Sequence, residues 1–117
     1  SGDMRDIEAA IAAGSDRAQL ALDVFCTSII RYIGAYSMEI GGVDAIAFTG
    51  GIGENSARVR RYVLTAMRHM GAIIDDRSNE EGAGERRITA ADSKIDAYVI
   101  PANEEYMVVR ETYAYCR

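Results

Sequence analysis

The chain has 117 residues and a formal net charge of −5, because 13 Lys and Arg side chains stand against 18 Asp and Glu side chains. That length suits one domain, or part of one, and leaves no room for a second large core. Hydrophobic residues make up 49% of the chain, which argues against intrinsic disorder. The acidic balance argues against a nucleic acid or an anionic membrane as the main partner, and no apolar run approaches the roughly 18 residues of a membrane span.

The two cysteines, Cys26 and Cys116, have neither the spacing of metal ligands nor the density of a disulfide scaffold. Together with the lack of a signal peptide, they predict a soluble protein of the reducing cytoplasm. The chain starts at Ser1-Gly2-Asp3 without an initiator methionine. Either residues were removed before it, or the chain is a piece of a longer protein.

The first part of the chain predicts two helices and a strand. Residues 6–13 suit a short helix that stops at Gly14, and Ser15 or Asp16 caps a longer helix that runs to about Glu39. Apolar residues recur along this long helix so widely that we expect it to be covered on more than one side. Residues 43–49 are mostly apolar and predict a strand buried on both faces, as in a parallel sheet.

The second part predicts a further helix that ends at Gly71, and we expect Arg58, Arg60 and Arg61 to form its solvated face; contact with a nucleotide phosphate is the alternative. Residues 72–75 favour a short strand, and residues 76–94 predict a solvated connecting loop. Residues 95–100 predict a second buried strand, which Pro101 stops. Asn103 is the predicted cap of a last helix.

Alternation of strands and helices predicts an α/β layered fold with a parallel sheet. Only two segments are convincing strands, whereas sheets average about five or six. We therefore expect other strands of the sheet to lie outside this chain.

The strongest chemical signal is the segment Phe48-Thr49-Gly50-Gly51-Ile52-Gly53-Glu54-Asn55. It follows a buried strand and opens a helix, at the end of a sheet where α/β folds bind ligands. Glycines allow a ligand to approach the backbone closely, and free amides at a helix start suit an anion such as a phosphate. The spacing is neither a Walker A motif nor the dinucleotide fingerprint. A tight turn that needs glycine only for its geometry is the alternative interpretation.

Two further segments carry weaker signals. Pro101-Ala102-Asn103-Glu104-Glu105 follows the second strand, and a carboxylate there could hold Mg²⁺ directly or through water; a capped helix whose acids complement the helix dipole is the alternative. Asp3-Met4-Arg5 is, by itself, a charged lead into a helix. His69 is predicted to be a cation at a helix end, and Cys26 a small core residue.

Three segments in this order resemble the carboxyl-terminal portion of acetate kinase and its propionate and butyrate kinase relatives. They are residues 1–6, residues 48–55 and residues 101–105. The resemblance covers essentially the whole chain but only the final part of the family's chain. It implies part of a ribonuclease H-like fold of the actin, sugar-kinase and heat-shock-ATPase type. In that fold, residues 1–117 would be an incomplete carboxyl-terminal nucleotide-binding subdomain, with helices packed on a partial, mainly parallel sheet whose first strands are absent.

The resemblance also implies a function. A homodimeric enzyme would transfer the γ-phosphate of ATP to acetate or propionate with Mg²⁺, giving ADP and an acyl phosphate. The residues implied to hold adenosine and the α-phosphate are Gly51, Ile52, Gly53, Glu54 and Asn55. Asp3, Met4 and Arg5 would contact the nucleotide from its other side, where many relatives have Phe in place of Met4, and Glu104 would serve the Mg²⁺ site.

The catalytic residues of that family lie upstream of the matching portion, so we assign none here and expect the isolated chain to lack kinase activity. An alternative is a non-catalytic nucleotide-binding or assembly module that acts with a separate subunit.

Overall fold

A computed structural model of the chain describes residues 3–101. Its elements, in chain order, are helix α1 (Met4–Ala12), helix α2 (Asp16–Ile40), strand β1 (Ala45–Phe48), helix α3 (Gly50–Asn55), helix α4 (Ala57–Ala66), a 3₁₀ turn (Arg68–Met70), helix α5 (Asp76–Glu81), strand β2 (Arg86–Arg87) and strand β3 (Asp96–Val99). The two amino-terminal helices, the two main strands and the helix before Gly71 are confirmed. The helix predicted after Asn103 lies outside the described residues.

Local signals start and end the helices. A side-chain oxygen accepts a hydrogen bond from a first-turn amide at each of four N-cap positions, namely Asp3, Ser15, Ser56 and Asp75. Because Asp3 is such a cap, α1 begins two residues earlier than the sequence predicted. Gly41 and Gly71 end α2 and the 3₁₀ turn with φ of +83° and +99°, a left-handed conformation that favours glycine.

The sheet of the described residues has the strand order β1-β3-β2. Strands β1 and β3 pair in parallel, with Ala45 opposite Asp96 and Phe48 opposite Val99, as predicted. Strand β2 pairs with β3 in the antiparallel direction, so the sheet is mixed. The short connection between β2 and β3 explains this, since a parallel pair needs a crossover of a dozen or more residues.

The prediction that β1 is buried on both faces is wrong for this chain. Phe48 is buried, but Ala45 and Ala47 are exposed. They alternate with inward residues along a strand at the sheet edge, where the described residues leave one face open.

The prediction of a solvated loop over residues 76–94 is also wrong. This segment contains α5 and β2, and both Asn79 and Ile88 are fully buried within it. The strand predicted at residues 72–75 is reduced to a single bridge between Ile74 and Thr89. The segment has many charged residues and no regular apolar spacing that would predict a helix or a strand. Its side chains nevertheless make internal hydrogen bonds, such as those of Asn79 and Arg86.

The core lies between the helices and one face of the sheet. Its buried apolar side chains are Met4, Leu22, Cys26, Phe48, Val59, Val63, Leu64, Met67, Ala72, Ile88, Ile95, Ala97 and Val99. The core position predicted for Cys26 is therefore confirmed.

Helix α2 was predicted to be covered on more than one side, but the described residues cover it less than that. Along it, Tyr32, Tyr36, Met38 and Ile40 are 58–84% exposed, so within residues 3–101 the helix packs along one side only. No helix in the described part of the chain is both long enough and apolar enough to cross a membrane.

Candidate functional site

The start of α1 and helix α3 face each other across an open cleft of about 530 Å³. Its lining residues are Asp3, Met4, Arg5 and Glu8 from the α1 side, and Gly51, Ile52, Asn55 and Ser56 from the α3 side. Two segments that the sequence singled out separately therefore meet at one place. In the part of the chain that the structure describes, a depression of about 580 Å³ on α2 is lined by residues of that helix alone.

The α1 wall carries a fixed pair of opposite charges. The Asp3 carboxylate accepts a hydrogen bond from the Arg5 backbone amide at 2.9 Å and one from the Arg5 guanidinium at 3.2 Å. The hydrogen bond from the Arg5 backbone amide is the main cause of the lowered pKa of the Asp3 carboxyl. The Asp3 carboxylate in turn raises the pKa of Arg5. Met4 is buried and belongs to the core, so it anchors the start of α1. The wall thus presents an exposed guanidinium, a group suited to anions.

The α3 wall is a short helix in which each of the three glycines has a different structural role. Gly50 has φ of +78°, which only glycine adopts readily. Within residues 3–101, no atom outside the adjacent backbone of α3 lies within 4 Å of the place where a Cβ on Gly51 would stand, so this position is open to the cleft. A Cβ on Gly53 would stand 3.1 Å from the carbonyl carbon of Phe48, so this glycine allows α3 to pack against the end of β1. The Asn55 side-chain amide donates to the Gly51 carbonyl at 2.8 Å and braces the turn.

The residues predicted to hold the nucleotide in α3 fall into two groups by their contacts. Gly51, Ile52 and Asn55 line the cleft, whereas the backbone carbonyls of Gly53 and Glu54 accept hydrogen bonds from the Arg60 guanidinium at 2.9 and 3.0 Å. The carbonyls of these two residues therefore anchor α3 to α4.

The prediction of a solvated face for Arg60 is wrong, since this residue is 2% exposed. Arg58 and Arg61 are partly exposed and form ion pairs with acidic side chains, as a solvated face would. Arg60 lies three and four positions before Val63 and Leu64, both buried, and residues at this spacing share one face of a helix. That spacing is the signal by which its burial could have been found.

Two residues that line the cleft, Glu8 and Ser56, were not predicted from the sequence. The Ser56 hydroxyl donates to the Glu8 carboxylate at 2.7 Å, across 48 positions of sequence, and accepts from the Val59 amide as the cap of α4. Glu8 stands four positions after Met4 and so shares its helix face. This spacing was an available signal for Glu8, and the cap position was one for Ser56.

A metal site is not assembled by the described residues. Glu104 lies outside them, and residues 3–101 contain no group of three or more His, Cys, Asp or Glu side chains that could hold an ion. The Glu8 carboxylate is engaged by Ser56 and lies 3.8 Å from Arg58. This part of the chain therefore does not fit Mg²⁺ by itself. His69 is exposed in the last turn before Gly71, so it lies at a helix end.

Comparison with known proteins gives a consistent match. Residues 1–110 match the Acetokinase family. The acetate kinase of Acetivibrio thermocellus is 50% identical over 112 residues, which cover 96% of this chain and 28% of that protein. The crystal structure of Porphyromonas gingivalis acetate kinase superposes on all of this chain and 30% of its own, with a TM-score of 0.84 and 42% identity.

A propionate kinase from Francisella tularensis superposes with a TM-score of 0.78 and 33% identity over 91% of this chain and 27% of its own. The chain thus spans less than a third of the length of these relatives. The family match covers nearly all of the chain, from a position before α1 to one beyond β3. The chain therefore belongs to the acetokinase family.

Proposed function

We propose that this chain is the carboxyl-terminal, nucleotide-binding part of a short-chain carboxylate kinase. The whole enzyme would transfer the γ-phosphate of ATP to acetate or propionate and release ADP and an acyl phosphate. The observation that carries the proposal is the cleft in which Asp3, Met4 and Arg5 face Gly51, Ile52 and Asn55. The relatives named as acetate and propionate kinases support it. The proposal includes a fold of the actin and sugar-kinase type in which residues 1–117 form an incomplete subdomain.

In this proposal the cleft holds the adenosine and the α-phosphate. The missing side chain of Gly51 lets the nucleotide approach the backbone of α3, with Ile52 and Asn55 beside it. The Arg5 guanidinium on the opposite wall is paired with Asp3 but has further N–H donors to offer the phosphate chain. Phosphoryl transfer depends mainly on such positioning and electrostatic stabilisation. Glu104 is the proposed Mg²⁺ ligand of this chain, and we derive no step through the metal.

A chimera tests the function. The 117 residues replace the matching segment of the Acetivibrio thermocellus acetate kinase, and acyl phosphate is trapped with hydroxylamine after incubation with ATP and either acetate or propionate. We expect activity from the chimera and none from the isolated chain. A folded chimera without ATP-dependent acyl phosphate formation would refute the proposal.

The cleft is tested by Gly51→Val in the same chimera. We expect the KM for ATP to rise at least tenfold, because the new side chain occupies space that the nucleotide needs, while the KM for the carboxylate changes less than twofold. Gly34→Val is the matched control. Within residues 3–101, Gly34 also has open space around its Cβ position, but it lies in the middle of α2, away from the cleft. An unchanged KM for ATP in Gly51→Val would support the alternative that the glycines serve only the geometry of a tight turn.

The proposal includes a homodimer in the cytoplasm, where ATP is available. An exposed apolar surface supports the dimer: Tyr32 and Tyr36 stack with ring centroids 6.4 Å apart, and Met38 and Ile40 lie exposed beyond them on α2. Exposed apolar patches of this kind mark protein contacts. We expect Tyr36→Glu to convert a dimeric chimera into a monomer in sedimentation experiments. A monodisperse monomer at high concentration before substitution would contradict the dimer.

A further inference from the structure

Arg60 is buried behind the cleft and makes four hydrogen bonds. Its guanidinium donates to the carbonyls of Gly53 and Glu54, to the side-chain oxygen of Asn79 at 2.7 Å, and to the Asn79 carbonyl at 2.7 Å. Burial lowers the pKa of Arg60, and nearby Arg86 lowers it further, yet an arginine stays charged at neutral pH. Among the described residues, Arg60 does not line the cleft. All four hydrogen bonds of this positively charged side chain therefore go to uncharged oxygens of the protein itself.

The oxygens that Arg60 contacts explain this arrangement. Helix α3 has only six residues, three of which are glycine, and each glycine costs a helix about 1 kcal/mol relative to alanine. The last carbonyls of any helix lack partners within the helix. Arg60 supplies donors and a positive charge at this end of α3, where both are favourable. A segment with little helical preference of its own is therefore held from outside.

Asn79 fixes Arg60 in turn. Its side-chain amide donates to the Ala57 carbonyl at 3.0 Å, and its own carbonyl also accepts from Arg86 at 3.2 Å. Arg86 further donates to the Ser78 carbonyl at 2.7 Å, so α5 and β2 are joined behind Arg60. The segment that the sequence described as a connecting loop thus supports the rear of α3.

We propose that Arg60, oriented by Asn79, is a positioning residue for nucleotide binding. It sets the place of α3, and therefore of the cleft residues Gly51, Ile52 and Asn55, without touching the ligand. This inference rests on the proposed function, because it assigns a role in the same nucleotide site.

The test measures both KM values of the chimera defined above, with Arg60→Met against the matched control Arg61→Met. Arg61 is the next residue of α4, but its guanidinium pairs with exposed Asp76 and Glu80 of α5. For Arg60→Met we expect the KM for ATP to rise at least tenfold and the KM for the carboxylate to stay within twofold. For Arg61→Met we expect both values within twofold. KM is independent of the fraction of protein that is folded, so a loss of stability alone does not produce this split.

Conservative variants keep the test decisive if Arg60→Met fails to fold. Arg60→Lys retains the charge with fewer donors, and Asn79→Asp retains the acceptor for Arg60 that Asn79→Leu removes. We expect Arg60→Lys to raise the KM for ATP less than Arg60→Met, and Asn79→Asp to raise it less than Asn79→Leu. An unchanged KM for ATP in folded Arg60 variants, or an equal rise in both KM values, would overturn the inference. Lack of activity in the unsubstituted chimera would instead refute the proposed function.

Discussion

Alanine substitution at three glycines should separate backbone preference from packing. Gly34, Gly51 and Gly53 all lie in helices, and none has a positive φ. An added methyl group therefore brings no left-handed strain at any of them. Of the three, Gly53 is the position where the new Cβ meets a described residue outside its own helix, at 3.1 Å from the Phe48 carbonyl carbon and 3.5 Å from its Cα.

The magnitudes follow from two opposing effects. Alanine is about 1 kcal/mol more favourable than glycine inside a helix, so Gly34→Ala should stabilise the chain by about that amount. Gly51→Ala should give a smaller gain, because it lies in the first turn of α3. At Gly53 the same gain opposes an overpacking cost of about 1–3 kcal/mol. The Phe48 carbonyl accepts a hydrogen bond from the Ile100 amide at 2.9 Å, so the strand end resists displacement. We expect Gly53→Ala to be about 1 kcal/mol less stable than the unsubstituted chain.

The assay is urea unfolding of the 117-residue chain followed by circular dichroism at low micromolar concentration. Equal m-values across the three variants would show that the comparison concerns stability and not a changed denatured state. If Gly53→Ala is as stable as Gly51→Ala, α3 does not pack on β1 as tightly as described. If Gly51→Ala loses more than about 1 kcal/mol, a gain expected from helix propensity has failed, and the description of open space at Gly51 is wrong.

Two further predictions concern buried polar groups. Burial raises the pKa of the Cys26 thiol to about 11 from an ordinary value of 9.0. The pKa of Cys26 is thus higher in the folded chain than in the unfolded chain. The contribution of the buried neutral thiol to the free energy of unfolding is therefore complete below pH 9 and is lost as the pH rises toward 11, by at most about 1.4 kcal/mol per pH unit. Urea unfolding between pH 8 and 11 should show this loss and Cys26→Ala should lack it; the same pH dependence in both would contradict the assignment. Ser56→Ala removes the cap of α4 and the bond to Glu8, and should cost about 1–2 kcal/mol. Exposed Ser28→Ala on α2 is its control, and an equal effect of the two would argue against the Ser56 contacts.

Much of the fold could be predicted from the sequence because the signals are local. Ser15 begins α2, Gly41 ends it, and the apolar spacing between them defines its buried side. The two main strands were found by their apolar runs, and their parallel pairing by the helices between them. The segment 76–94 could not be read in this way, because Asn79 and Ile88 are ordered by partners that adjacent residues do not reveal.

The candidate site shows the same division. The sequence by itself determined that the glycine cluster after β1 is a candidate ligand segment, since it is recognisable within a few residues. Asp3-Met4-Arg5 has no such pattern of its own and was singled out only by the resemblance to the kinase family. Only the tertiary structure decided that Gly51 opens to the cleft, that Gly53 packs on Phe48, and that Arg60 is buried. Local patterns report the conformation of one turn or one strand. A contact such as that of Arg60 with Asn79, 19 positions away, depends on where the whole chain brings the two side chains.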